Sequence, residues 1–186
     1  MPRRIIRCTT PYRLSAALIP LLVQCVAIML VQPAMADSTK VLEEWQQIGS
    51  GTLKYIGFRL YTASYYENGS DSDPQGRALR IQYHRTIKQE QLLTATEKIW
   101  QRMGELPDAQ IEDYIARLGS IWPTVEENDE LIFLVDSQGV GAFYFNGEYL
   151  GEIEDPQLSE AFLGIWLSPK TPNTKLRSAL LGLTNS

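Results

Sequence analysis

Apolar and polar residues alternate along several stretches of the chain, which is the pattern that predicts half-buried β-strands. The clearest alternation covers 78–85. Its apolar members, which are expected to face a core, are Leu79, Ile81 and Tyr83. An uninterrupted apolar run at 131–135 predicts a strand that is covered on both faces. Residues 141–153 predict a β-hairpin that turns at Asn146-Gly147, because this dipeptide tolerates the positive φ angles of a tight turn.

The stretch 52–67 is rich in aromatic and β-branched residues and is expected to form one further strand. Its two faces differ in chemistry, because side chains of a strand point alternately to opposite sides. The apolar phase, expected to face the core, comprises Ile56, Phe58 and Leu60. The other phase, expected to face solvent or a polar-lined cavity, comprises Tyr55, Arg59 and Tyr61.

Apolar residues at spacings of three and four predict four helices. Two lie at 88–103 and 107–118; a third begins after Asp155, and a fourth is expected to be capped by Thr171 with Pro172. The apolar stripe of the third helix comprises Leu158, Ala161, Phe162, Ile165 and Trp166. With the predicted strands, this order indicates an α+β fold in which helices cover one face of an antiparallel sheet.

The first 36 residues have the layout of a secretory signal peptide. Four arginines precede an apolar run at 14–31, and Ala34-Met35-Ala36 forms a small-x-small cleavage pattern. Cleavage after Ala36 would leave one domain, residues 37–186, in the periplasm or outside the cell. The two cysteines, Cys8 and Cys25, lie in the removed segment, so the domain has no disulfide and no thiol nucleophile.

The net charge of the predicted domain limits the kinds of partner that it can bind. The signal segment holds four of the 17 basic residues and none of the 22 acidic ones, so the remaining domain has a formal charge of −9. Phosphate contacts require a basic surface, so nucleic acid is excluded as a partner. The same charge argues against anionic membranes, and membrane contact is expected only through the signal peptide before cleavage.

Familiar catalytic motifs are missing from the sequence. The single histidine, His84, lies on a polar strand face, which leaves no Ser-His-Asp set to assemble and no histidine pair for a metal. The acidic residues Asp71 and Asp73 lack the glutamate that a calcium loop requires at its twelfth position. No metal and no cofactor are therefore expected.

Four stretches together resemble the chalcone isomerase-like superfamily, and in particular its bacterial exported branch. They read "GSGTLKYIGFRLYTASYY", "ALRIQYHR", "GVGAFYFNGEYLGEIED" and "LSEAFLGIWLSPKTPNTKLRSALLG", and they extend from about Gly49 to Gly182. The resemblance implies an open-faced β-sandwich, a large antiparallel sheet with helices over one face and a cleft between the layers. In the plant enzymes that cleft closes a chalcone into a flavanone without a cofactor, and non-catalytic relatives bind fatty acids there.

The resemblance also assigns candidate site residues. The arginine of the plant enzymes falls near Gly49, which has no charge, and their early-strand threonine falls on Tyr61. Arg59 is the nearby substitute, because it is expected to share the face of Tyr61. The hydroxyl near the C-terminal elbow falls on or near Thr171. Arg59, Tyr61 and Thr171 are therefore the catalytic candidates, should the protein be an enzyme.

Three hypotheses follow from the sequence. The leading hypothesis is an exported, non-catalytic protein that binds an apolar or amphipathic small molecule, such as a fatty acid, between sheet and helices. Its predicted ligand-binding residues are Tyr55, Arg59, Tyr61, Phe162, Trp166 and Thr171. The alternatives are a cofactor-independent intramolecular lyase or isomerase of the chalcone isomerase type, and a structural or partner-binding module whose core is filled by its own side chains.

Overall fold

The structure, a computed structural model, describes residues 38–70 and 73–183. The predicted signal peptide and its cleavage site after Ala36 lie outside the described residues. So does Asp71 of the acidic loop.

Six antiparallel strands form one sheet in which neighbours in the chain are neighbours in space. The strands are β1 (Gln46–Tyr55), β2 (Phe58–Ser70), β3 (Asp73–Tyr83), β4 (Glu130–Asp136), β5 (Gly141–Phe145) and β6 (Glu148–Ile153). The predicted hairpin at Asn146-Gly147 joins β5 to β6, with φ angles of 51° and 85° at its two turn residues. The run at 131–135 lies in β4, where Leu131 and Ile132 point to opposite faces and are both buried.

Four helices pack over one face of this sheet. They are α1 (Gln89–Met103), α2 (Asp108–Ile121), α3 (Pro156–Leu167) and α4 (Thr174–Leu180). The main core lies between them and the sheet. A smaller cluster on the opposite face packs Leu42, from a 3₁₀ helix at Ser38–Leu42, with Tyr66, Ala78 and Ile132. The predicted α+β architecture is confirmed, and the N-terminal lead-in covers part of the second face.

Helix ends follow the local sequence, with one exception. Gly104 ends α1 in the left-handed conformation, and the Asp155 carboxylate caps α3 by accepting hydrogen bonds from the amides of Gln157 and Leu158. The cap predicted for the last helix was wrong. Asn173, and not Thr171, occupies the N-cap position of α4.

The stretch 52–67 does not form a single strand. It turns at Ile56-Gly57, where φ is 48° and 80°, so that its first part belongs to β1 and its second to β2. Ile56 is 77% exposed and Phe58 66% exposed at the end of the hairpin. Their predicted core position was wrong, because the turn interrupts the alternation that the prediction assumed to be continuous.

The third helix lies on an aromatic core. Phe162 of α3 contacts Phe133 of β4, with ring centroids 4.8 Å apart, and Phe143 of β5, with ring centroids 5.3 Å apart. Trp166 lies one turn further along α3 and is only 7% exposed. The predicted burial of this stripe is therefore confirmed.

Candidate functional site

A cavity of about 380 Å³ lies between the sheet and the helices α1 and α3. Its lining is mostly aliphatic and aromatic. The sheet contributes Leu53, Leu60, Tyr61, Ile81, Tyr83 and Leu131. The helices and the segments flanking α1 and α2 contribute Arg85, Thr86, Ile87, Gln91, Leu92, Ala95, Thr96, Ile99, Trp122, Phe162, Ile165 and Trp166.

Small side chains on α1 leave this space open. Ala95 and Thr96 lie where the helix meets the cavity, and neither is long enough to fill it. The neighbouring part of the core, around Phe133 and Phe143, is closed by aromatic rings in direct contact. The core is thus packed at one end of the helix layer and hollow at the other.

Two phenol side chains, those of the half-buried Tyr61 and the buried Tyr83, line the cavity. The Trp166 indole Nε1–H donates to the Tyr61 hydroxyl over 2.9 Å, and the Tyr83 ring meets Tyr61 edge-on at 6.2 Å. Burial raises the pKa of Tyr61 to about 12, although the Trp166 hydrogen bond opposes the shift. Burial also raises the pKa of Tyr83. Both phenols are therefore neutral at physiological pH and act as polar groups, not as bases.

The rim of the cavity is polar and carries a cation. Arg85, Thr86 and Gln91 are exposed to solvent and also belong to the lining. Arg85 is the one charged residue among the described residues of this lining. Its guanidinium carbon lies 5.9 Å from the centre of the Phe58 ring, which is a cation–π contact. An apolar interior below a cationic rim suits an amphipathic molecule with an anionic head.

The wall also holds an unused hydrogen-bond donor. Trp122 is 6% exposed, and its buried indole Nε1 has no hydrogen-bond partner within the described part of the chain. An unsatisfied buried donor costs about 1–3 kcal/mol.

The structure brings together half of the ligand-binding residues that the sequence suggested. Tyr61, Phe162 and Trp166 all line the cavity. Tyr55 does not, since it is 65% exposed at the end of the β1–β2 hairpin.

Thr171 lies outside the lining and stabilises the elbow between α3 and α4. It is 3% exposed; its hydroxyl donates to the Ile165 carbonyl over 2.6 Å and accepts from the Asn173 amide over 3.3 Å. Its hydrogen-bonding capacity is used by the backbone, so the geometry gives it a structural role.

A β-bulge separates Arg59 from the cavity. On β1 the adjacent residues Leu53 and Lys54 pair with Tyr61 and Arg59, which leaves Leu60 as the extra residue of β2. A bulge shifts the alternation of side chains by one position. Leu60 and Tyr61 consequently both line the cavity, whereas Arg59 is exposed and does not share the face of Tyr61.

Close packing of α4 on β1 explains why Gly49 carries no side chain. A Cβ atom at this position would lie 2.6 Å from the Leu180 carbonyl oxygen and still closer to that of Ala179. Contacts under 3 Å require the backbone to move, so an arginine is incompatible with this arrangement.

The cation of the cavity comes instead from Arg85, at the end of the stretch 78–85. The sequence analysis missed it, because strand alternation alone does not reveal which polar residue lies at the rim of a cavity.

A model of the chalcone isomerase-like family matches residues 35–182. The chain belongs to the chalcone isomerase-like family. An uncharacterised protein of Haemophilus influenzae is 26% identical over 144 residues, which cover 76% of this chain and 70% of that protein. Among solved structures of the same fold is the crystal structure of a fatty-acid binding protein of Arabidopsis thaliana. It superposes with a TM-score of 0.61 at 12% sequence identity and covers 75% of this chain and 87% of that one.

The described part of this chalcone isomerase-like protein contains neither a metal-binding cluster nor a membrane-spanning helix. Among residues 38–70 and 73–183, no group of three or more His, Cys, Asp or Glu residues is arranged to hold a metal ion. Of the described helices, none is long and apolar enough to cross a membrane.

Proposed function

We propose that the protein is a non-catalytic binder of a single-chain amphipathic molecule with an anionic head, such as a fatty acid. The observation that carries the proposal is the cavity itself, which combines an apolar interior with one cationic residue, Arg85, at its rim. The apolar chain enters between Tyr61, Phe162 and Trp166, and the head stays at the rim.

The size and lining of the cavity support this occupant. Small-molecule sites typically measure about 300–1,000 Å³ and are mainly apolar, with few polar groups that fix orientation. The value of about 380 Å³ lies at the small end of this range, which favours one acyl chain over a bulky ligand. Each buried methylene contributes about 0.8 kcal/mol, so the chain supplies most of the affinity. A charge-assisted hydrogen bond from Arg85 to a carboxylate contributes about 1.5–3 kcal/mol more.

The Arabidopsis neighbour adds support of a different kind. That protein is a fatty-acid binding protein, and it shares the fold of this chain. At 12% identity the likeness concerns the fold, so the ligand class is carried by the cavity of this chain and not by the relationship.

Catalysis of the chalcone isomerase type is disfavoured by the same geometry. Such a reaction needs a fixed cation beside the developing oxyanion, and losing one such donor costs about 100- to 1000-fold in rate. Gly49 has no room for a side chain, Arg59 lies outside the cavity, and the Tyr61 phenol stays protonated. Arg85, the one cation in the described lining, is exposed at the rim and is therefore not fixed beside a carbonyl group in the interior. We therefore expect no flavanone formation above the uncatalysed background when the protein is incubated with chalcones.

Export is part of the proposal and rests on the sequence of the first 36 residues. Protein isolated from the periplasmic or extracellular fraction should begin at Asp37 when its N-terminus is sequenced. An intact Met1 in that fraction would contradict cleavage.

A displacement assay tests the binding function. A fluorescent fatty acid, cis-parinaric acid, is bound and then competed by oleate or by its methyl ester. Arg85→Gln should weaken oleate about tenfold or more, since a charge-assisted bond is lost, and should leave the methyl ester nearly unchanged. Arg59→Gln is the matched control and should affect neither ligand. Thr96→Phe, which adds a ring at a buried position of the lining, should abolish both.

Two results would overturn the proposal. One is the absence of displaceable binding by folded wild-type protein. The other is binding that survives Thr96→Phe in a folded variant, since the occupied site would then lie elsewhere.

A further inference from the structure

The end of the β1–β2 hairpin is an exposed apolar tip. We define the tip as residues 54–59 of the turn and its flanks. Tyr55, Ile56 and Phe58 are 65%, 77% and 66% exposed, and they are three of the five large exposed hydrophobic residues found in the described chain. Space around the turn is open, because a Cβ at Gly57 would meet no atom within 4 Å. The tip projects into solvent and is convex.

The charge at the tip is opposite to that of the protein as a whole. Lys54 and Arg59 flank the three apolar residues, and Arg85 lies over the Phe58 ring. The sequence has no acidic residue at 46–66 or at 74–89. None of the three cations takes part in an ion pair with another described residue. The overall charge of −9 therefore does not describe this end of the molecule.

The tip adjoins the mouth of the cavity. Leu53 and Leu60, the residues next to the tip on β1 and β2, both line the cavity. Arg85 connects the cavity and the tip, since it lies at the rim of the cavity and contacts Phe58 of the tip. A surface that receives the tip would consequently face the entrance.

The backbone gives an independent sign that the apolar tip does not serve folding. Ile56 adopts a φ of 48°, a left-handed conformation that β-branched residues strongly avoid. Asparagine or glycine is favoured at such turn positions. An exposed isoleucine here costs conformational free energy and gains no packing.

We propose that the tip inserts into the interface of a bilayer that contains anionic phospholipid and so presents the cavity mouth to the membrane. Apolar side chains enter the headgroup region, and flanking cations meet the anionic surface, as in other proteins that bind membranes peripherally. A convex tip suits a deformable bilayer better than a protein partner, whose interface would need a matching pocket. The biological use of the docking, ligand exchange with the membrane, rests on the proposed function; the docking itself depends on the tip alone.

A local fluorescent probe tests the docking. The full chain carries an apolar run at 14–31, so the probe must report the tip specifically. In a background with Cys8→Ser and Cys25→Ser, Ile56→Cys is labelled with the environment-sensitive dye NBD. Glu148→Cys, on the other hairpin, is the matched control. Vesicles of equal parts phosphatidylglycerol and phosphatidylcholine should shift the emission to shorter wavelength and raise its intensity for the label at 56 and not for the label at 148.

Charge variants test the source of the attraction. Lys54→Gln with Arg59→Gln should weaken binding of the label at 56 to these vesicles roughly tenfold or more, and vesicles of phosphatidylcholine alone should bind weakly. A label at 56 that never leaves water overturns the proposal. So does an equal response at 56 and 148, or a response that ignores both lipid charge and the two substitutions.

Two further measurements distinguish membrane docking from self-association and from ligand binding. If unlabelled wild-type protein is a dimer by light scattering and Phe58→Ser is a monomer, the tip is a site for a second copy, and membrane docking is overturned. The displacement assay in solution distinguishes docking from ligand binding. Phe58→Ser should keep oleate affinity while abolishing the vesicle response of the label at 56, whereas a label at 56 that responds to vesicles in protein that binds no oleate would contradict the proposed function alone.

Discussion

Two hairpin turns of the same sheet have nearly the same backbone geometry and very different sequences. The β1–β2 turn has φ angles of 48° and 80° at Ile56-Gly57, and the β5–β6 turn has 51° and 85° at Asn146-Gly147. In the second turn the chemistry matches the conformation, because asparagine tolerates left-handed angles. In the first turn a β-branched residue occupies the same conformation against its preference.

The side chains of the two turns also differ in their contacts. The Asn146 side chain accepts a hydrogen bond from the Glu130 amide over 2.8 Å and donates one to the Asp129 carboxylate over 2.9 Å. It thereby ties the β5–β6 turn to the start of β4. Ile56 is 77% exposed. Folding accounts for the residue of one turn and not for that of the other, which is why we assign the tip to binding.

A substitution in the aromatic core should lower stability more than any substitution in the two turns. Trp166→Ala removes a buried indole and its hydrogen bond to Tyr61, and it should lower the free energy of unfolding by about 3–5 kcal/mol. Denaturant unfolding followed by circular dichroism measures the change. Trp166→Phe, which keeps most of the packing, should cost clearly less, and an unchanged midpoint for Trp166→Ala would refute the burial of α3.

Asn146→Ile places the residue of the first turn into the second. It introduces a left-handed β-branched residue, at about 1–2 kcal/mol, and removes two hydrogen bonds of about 1 kcal/mol each. The expected loss of unfolding free energy is thus about 3–4 kcal/mol. Asn146→Gly isolates the hydrogen bonds, because glycine adopts the turn without strain. A loss below that of Asn146→Gly would show that strain at this position is negligible.

Ile56→Asn is the reverse exchange and should stabilise the protein. Relief of the left-handed isoleucine should raise the free energy of unfolding by up to about 1 kcal/mol, and the exposed side chain has little packing to lose. Ile56→Val keeps both the branching and the strain and should leave stability unchanged. Destabilisation by Ile56→Asn would mean that the tip contributes to the fold, and the contrast between the turns would fail.

The same contrast explains what sequence analysis could and could not find. Asn146-Gly147 is a recognisable turn signal, so the hairpin at 141–153 was predicted. Ile56-Gly57 carries no such signal and lies in a run of aromatic and β-branched residues, so two strands were predicted as one. A turn cannot be predicted from its turn-forming residues where, as at Ile56, a residue of another type occupies the turn position.

For similar reasons, the sequence revealed some features of the candidate site and not others. The helical stripe with Phe162 and Trp166 was found because a period of 3.6 residues survives in the sequence. The bulge at Leu60 was not found, and it reverses the expected orientation of Arg59 relative to Tyr61. The strand pattern at 52–67 left solvent and a polar-lined cavity as alternatives, and only the family resemblance placed a cavity between sheet and helices. A void depends on how α1 packs on the sheet, and no single residue encodes it.

The smallest effects on stability are expected for the exposed aromatic residues near the two turns, Phe58 and Tyr149. Tyr149 is 57% exposed, makes one long hydrogen bond, of 3.3 Å, to Glu152 and meets the Tyr144 ring edge-on at 5.8 Å, while Phe58 makes the cation–π contact with Arg85. Phe58→Ser and Tyr149→Ser should therefore each cost at most about 0.5–1 kcal/mol. Thermal melts measure both. Because the two variants lose similar apolar surface and little stability, any difference between them in the response of an NBD label at position 56 to phosphatidylglycerol vesicles must come from where the ring lies. Only Phe58→Ser should lose that response, and equal responses in the two variants would mean that the β1–β2 tip is no more a membrane contact than the β5–β6 turn.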